Sequence, residues 1–121
     1  MIEVVSEERC IGCDICIRVC PTNVFDRGPQ GIPVIARQGD CQTCFMCEAW
    51  CPEDALFVAA GTVPEPEDSP YRDEQELIRR DLLGSYRRNL GWSKGSAPTA
   101  GQDPSTWLVE AMHKPAGPRP R

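Results

Sequence analysis

With 121 residues, 13 basic and 18 acidic side chains and a formal net charge of −5, the chain has room for one small domain and an extension, and its sign disfavours nucleic-acid binding. It contains no run of some 18 apolar residues, so no membrane span is expected. The start Met1-Ile-Glu-Val-Val has neither the basic n-region nor the long apolar h-region of an export signal, and eight cysteines in such a chain are expected as reduced thiols in the cytoplasm.

Ile2–Ser6 alternates apolar and polar residues and predicts a short strand. Cys10, Cys13, Cys16 and Cys20 follow in the spacing C-x2-C-x2-C-x3-C, closed by Pro21. Residues 16–20 can hold a helical turn or two, which Pro21 ends because it cannot continue the hydrogen-bond ladder. Asn23-Val-Phe25, a turn over Arg27–Gly31 and a β-like Pro33–Ala36 come next. Arg37–Asp40 leads into Cys41, Cys44, Cys47 and Cys51, the same spacing closed by Pro52. Each cysteine of this second run stands 31 residues after its counterpart, so the segment is an internal repeat. Glu48–Cys51 matches the first short helix, and Ala55–Ala59 is the closing strand. The expected core is Ile2, Val4, Ile15, Val19, Phe25, Val34, Ile35, Leu56 and Val58.

A cubane iron–sulfur cluster presents four iron corners, each needing one soft thiolate. Three cysteines two residues apart let one looping segment wrap three corners, with backbone N–H groups turned inward on the bound negative charge. Zinc also accepts four cysteines, but its structural sites pair two separate C-x2-4-C knuckles. Disulfides belong to secreted chains, and the two runs leave no spare thiol for nucleophilic chemistry. On these two runs, residues 1–60 resemble a bacterial-type ferredoxin with two [4Fe–4S] clusters. The resemblance implies an α+β fold, a two-fold (βαβ)2 domain, and interlocked ligand sets in which the fourth cysteine of each run serves the other cluster. One cluster then takes Cys10, Cys13, Cys16 and Cys51, the other Cys41, Cys44, Cys47 and Cys20. A segment of about 60 residues buries too little apolar surface to be comfortable alone. The clusters are therefore expected to supply much of the folding energy, and the apo form to be largely unfolded.

Residues 1–60 hold nine acidic and four basic side chains, residues 61–121 nine of each, and an oxidised cluster with its thiolates adds about two negative charges. An acidic carrier suits docking on a basic patch of a redox partner; an acidic surface kept for solubility is equally compatible. Asp14, between two ligands, should disfavour reduction of its cluster, unless it is simply a solvated loop acid. Phe45 and Trp50 are read as packing that keeps water from the clusters rather than as electron relays.

Gly61–Asp68 is a proline- and acid-rich linker. Ser69-Pro70 has the form of an N-cap followed by proline at the first helical position, and a helix is predicted over about 70–83. Acids come early in it and Arg79 and Arg80 late, as the helix dipole favours, with Leu77, Ile78, Leu82 and Leu83 as one apolar stripe. Asp103-Pro-Ser opens a short helix over about 104–113, carrying Trp107, Leu108, Ala111 and Met112; His113, the only histidine, is read as a helix-end residue, and 114–121 as a tail. Residues 61–121 thus form an extended, partly helical arm. Too sparse to be a domain, the arm is expected to dock on a partner protein through Leu77, Ile78, Leu82, Trp92 and Trp107. The alternative is that it folds back over its own core or stays unfolded.

In plan, a ferredoxin core with a long arm is similar to the iron–sulfur β-subunit of adenylylsulfate reductase, whose arm embraces a flavin-bearing α-subunit. That likeness implies an electron-transfer subunit, itself no enzyme, passing single electrons through two clusters to or from a flavoprotein oxidoreductase. The sequence offers no candidate triad, Gly-rich phosphate loop or paired catalytic acids outside the cysteine region. Two alternatives stand beside this reading: a free-standing ferredoxin serving several redox enzymes, and a non-redox protein whose clusters are structural or sense oxygen.

Overall fold

Each cysteine run is bracketed by strands too short to stand alone, and the chain solves this by pairing the ends of the repeat with each other. The computed structural model describes residues 1–92. In order, the elements of the first part are β1 (Ile2–Val5), α1 (Ile15–Val19), β2 (Phe25–Arg27), β3 (Pro33–Ile35), α2 (Met46–Trp50) and β4 (Leu56–Val58). β1 pairs antiparallel with β4, Val5 opposite Leu56 and Ile2 opposite Val58, with an irregularity between Ile2 and Val4. β2 and β3 form a second antiparallel pair, Phe25 opposite Ile35.

Alternation along β4, together with the irregularity in β1 that turns Val4 to the face opposite Ile2, divides the core in two. Ile2, Leu56 and Val58 join Val24, Phe25, Cys16 and Cys47 on one face. Val4, Phe57 and Ala59 point to the other face. A two-stranded ribbon with one bare apolar face is marginal in water, and the arm supplies the missing layer. Leu77 and Leu83 pack on Val4, Phe57 and Ala59, with Ile78 and Leu82 at the edge, and Leu77 is completely buried at 0% exposure.

This corrects the expected use of the arm. Leu77, Ile78 and Leu82 are not free for a partner, because the chain's own β1–β4 ribbon offers the nearer apolar surface. Nor is residues 70–83 one helix. Ser69 does cap Tyr71 N–H ahead of a 3-10 turn over Pro70–Arg72, but Asp73 then caps afresh, accepting from Gln75 and Glu76 N–H, to start α3 (Glu74–Arg79). Asp81 and Gly84 take left-handed backbone, and α4 (Ser85–Leu90) follows. The break lets Leu77 and Leu83 both reach the ribbon and lets Gly84 N–H donate to Leu56 O at 3.0 Å. A side chain at Gly84 would put its Cβ 2.2 Å from Asp54 Oδ1.

Polar bonds fix the same layer. Glu48, on α2 and 1% exposed, accepts from Val58 N–H and Tyr86 N–H, each at 3.1 Å, so one carboxyl ties α2, β4 and α4 together. Burial pushes this carboxyl up to about 7, opposed by those two N–H groups and by Arg88. Arg87 donates to Ala49 O at 2.7 Å, Ser6 donates to Glu74, and Glu65 N–H donates to Glu3.

Of the expected core, Ile2, Val4, Phe25, Leu56 and Val58 are buried, while Ile15, Val19 and Ile35 are half-buried. Val34 is a miss: at 47% exposure it sits on the outward side of β3, since strand neighbours alternate faces. The short helix over about 104–113, Trp107, His113 and the tail lie outside the described residues. Leu77→Ala is expected to cost roughly 2–5 kcal/mol. Anaerobic melting of the iron-loaded protein should fall by about ten degrees or more, whereas Val63→Ala, at an exposed position, should leave it almost unchanged.

Candidate metal centres

The loops that carry the cysteines repeat in backbone as well as in sequence. Gly12 and Asp14 have φ of 71° and 63°, and their counterparts Thr43 and Phe45 have 52° and 62°. Left-handed backbone at a threonine and a phenylalanine is costly, of order 1–3 kcal/mol each, and the surrounding fold must hold it. Its effect is to curl the loop so that N–H groups face the sulfurs. Gly12 N–H reaches Cys10 Sγ and Thr43 N–H reaches Cys41 Sγ, both at 3.4 Å. Ile2 N–H also reaches Cys41 Sγ, and Ala55 N–H reaches Cys51 Sγ, again at 3.4 Å.

Asp14 and Phe45 are followed at once by α1 and α2, which carry Cys16 and Cys47 inward. Cys20 and Cys51 are the extended residues at which these helices stop, immediately before Pro21 and Pro52. The helices thus deliver their last cysteine away from the loop that holds the first three.

The result is two small, partly open cavities. One is lined by Cys10, Cys13, Cys16 and Cys51. The other is lined by Cys20, Cys41, Cys44 and Cys47. None of the eight cysteines is in a disulfide. Four soft sulfurs around one small space suit a cubane cluster. Among the described residues no three His, Cys, Asp or Glu side chains converge closely enough for a single metal ion.

Burial pushes the Cys16 thiol up to about 11, with the neighbouring Cys51 adding to the effect. Burial likewise raises Cys47 and Cys51. Left to themselves such thiols stay protonated; bound iron is what makes thiolates of them.

Other side chains complete the walls. Asp14 and Glu53 line the first cavity and Phe45 the second. Asp14 is paired with Arg27. Phe45 stacks on Tyr86 of the arm, ring centroids 4.6 Å apart, so the arm backs the second cavity. Trp50 does not line either space. It is 46% exposed and meets Trp92, equally exposed, edge-on at 5.3 Å. The parts played by Arg27, Glu48 and Tyr86 were not read from the sequence: Arg27 and Tyr86 lie outside the cysteine runs, and Glu48, inside the second, shows no local sign of its partners Val58 and Tyr86.

Comparison with known proteins agrees with this geometry. The family described as 4Fe-4S dicluster domain matches residues 9–55. The ferredoxin of Methanothermococcus thermolithotrophicus is 34% identical over 56 residues, 45% of this chain and 92% of that protein. The ferredoxin-type protein NapF of Escherichia coli (strain K12) is 39% identical over 49 residues, 40% of this chain and 29% of its own length, so the chain spans under a third of that relative. The thiosulfate reductase electron transfer subunit PhsB of Salmonella typhi is 30% identical over 109 residues, 77% of this chain and 53% of that protein. No solved structure matches the chain significantly.

Proposed function

Since the chain belongs to the ferredoxin family with two [4Fe–4S] clusters, we propose that it is the electron-transfer component of an oxidoreductase, acting beside a flavin-bearing catalytic subunit. The observation that carries this reading is the pair of four-cysteine cavities built side by side on one small core. We assign Cys10, Cys13, Cys16 and Cys51 as ligands of one cluster and Cys20, Cys41, Cys44 and Cys47 as ligands of the other. Bound clusters supply one-electron storage, and the protein's own groups position, insulate and tune them. Backbone N–H groups stabilise charge on Cys10, Cys41 and Cys51, while Ile2, Val24 and Leu56 keep water out. Reduced thiols at such sites fit a cytoplasmic location, and no described helix is long and apolar enough to cross a membrane.

A flavin is the partner chemistry we favour because it can divide a two-electron substrate reaction into the single-electron steps a cluster handles. The likeness to an electron transfer subunit supports a partnered role, and a match over 77% of the chain necessarily reaches into the arm. With Leu77 and Leu82 turned to the chain's own core, the exposed aromatic side chains among the described residues are Trp50, Tyr71 and Trp92. The fold-back of residues 61–92 favours a second reading, a free-standing ferredoxin, because it takes up the apolar stripe of Leu77, Ile78, Leu82 and Leu83 within the chain.

Anaerobic co-purification of the tagged chain from its own host separates the two. A stoichiometric flavoprotein with about eight irons per chain is the result expected of the subunit. The same iron with no companion would instead identify a diffusible carrier.

A further inference from the structure

The two cavities are copies of one design, so their differences stand out position by position. Cys10 and Cys41 are both half-buried, Cys13 and Cys44 both exposed, Cys16 and Cys47 both buried, and Cys20 and Cys51 both half-buried. Each side receives two N–H to sulfur bonds, from Gly12 and Ala55 at the first cavity and from Ile2 and Thr43 at the second, all at 3.4 Å. Burial and backbone donors therefore do not distinguish the sites.

Charge does. Where the first wall has Asp14, the second has Phe45, its counterpart 31 residues on; where the first has Glu53, the second has the counterpart Thr22. Both exchanges place a carboxylate on the first site and a neutral group on the second. Arg27 pairs with Asp14 Oδ2 but is 66% exposed, where water screens its charge. Asp14 Oδ1 is buried without a hydrogen-bond partner.

We propose that Asp14, reinforced by Glu53, makes the first site the harder of the two to reduce, so that an electron entering the protein comes to rest at the second site, beside Phe45 and the arm. The inference rests on the two-cluster reading above. An added electron beside a fixed negative charge meets a Coulomb penalty that an aromatic ring does not impose. Flow within the protein then runs from the Asp14 side to the Phe45 side. The first site loses one electron as the second gains it, with an external one-electron donor and an acceptor in the partner protein closing the balance. No bond forms or breaks.

Potentiometric titration of the anaerobic, iron-loaded full chain, with dithionite as reductant and electron paramagnetic resonance as readout, tests this. The unaltered protein should show two separate one-electron waves. Asp14→Asn keeps the side-chain size and is expected to raise the lower wave by about a tenfold change in its reduction equilibrium, about 59 mV, leaving the upper wave in place. Arg27→Gln, which removes the opposing charge, should move the same wave down. Glu53→Gln, at an exposed position, should raise it by less, and carries the test if Asp14→Asn does not load iron. A lower wave unmoved by these variants, or an upper wave that moves instead, overturns the proposal. Iron far below about eight per chain, or no signal on reduction, overturns the two-cluster reading and the proposal with it.

Discussion

Stripping the iron from the anaerobic protein with a chelator is expected to collapse the dispersion of its amide NMR signals and to open residues 1–92 to proteolysis. The first 60 residues contain nothing that holds without the metal. α1 and α2 are five residues each, against the roughly 12–15 that an isolated helix needs. The strands come only as two pairs, and isolated pairs are marginal. Cys16 and Cys47 sit within the main apolar cluster, with Cys20, Cys41 and Cys51 packed against it, so the sulfurs are part of the core. Eight thiols turned toward two spaces without iron lose the bonds that tie the loops to the helices, and a core built on its metal ligands is not held by the remaining apolar contacts alone. The arm should be lost in the same step, because Leu77 and Leu83 are anchored on β1 and β4, which the core holds in place. Retained dispersion in iron-free protein would show that packing alone sustains the fold; restoration by added iron and sulfide would complete the expected result.

What could be read in the sequence, and what could not, divides along the same physical line. The cysteine spacing, Pro21 and Pro52 act within a few residues of each other, and they located the loops and the ends of the short helices; the grouping of the cysteines came from the family resemblance. Ile2, Leu56 and Val58 followed from alternation. The arm was harder because a stripe such as Leu77, Ile78, Leu82 and Leu83 says only that something apolar covers it. The covering surface, Val4, Phe57 and Ala59, is the back of a ribbon 18 to 79 residues away in the chain, and Phe57 and Ala59 read as outward positions when that ribbon is taken to have a wet face. The single helix expected over 70–83 failed for a related reason: acids, arginines and the cap at Ser69 all favoured it, but Asp73, Asp81 and Gly84 redirect the chain so that two leucines meet one ribbon. Trp50 shows the limit for aromatics, since its neighbour Cys51 lines a cavity and Trp50 itself faces Trp92. Glu48 gave no local sign at all, because its partners, Val58 and Tyr86, are 10 and 38 residues distant.

The proposed exchange of fourth cysteines gives the second large effect. Cys20→Ala lies in the first run, yet it should abolish the cluster of the second, since Cys20 lines the cavity of Cys41, Cys44 and Cys47. Iron should fall from about eight to about four per chain, or to a damaged second centre retaining three irons. The discriminating comparison is with two further variants. Cys44→Ala attacks the second cavity from within its own loop and Cys13→Ala attacks the first, at two matching exposed positions. If the sets are exchanged, the surviving resonance spectrum of Cys20→Ala matches that of Cys44→Ala and differs from that of Cys13→Ala. If each run serves its own cluster, the match is with Cys13→Ala, and the ligand assignment fails while the two-cluster content stands. The exchange also sets how the loss spreads. α1 ends at Cys20 and α2 at Cys51, so each helix is pinned between both centres, and removing either last cysteine should lower the melting temperature of the whole protein rather than melt one half of the repeat.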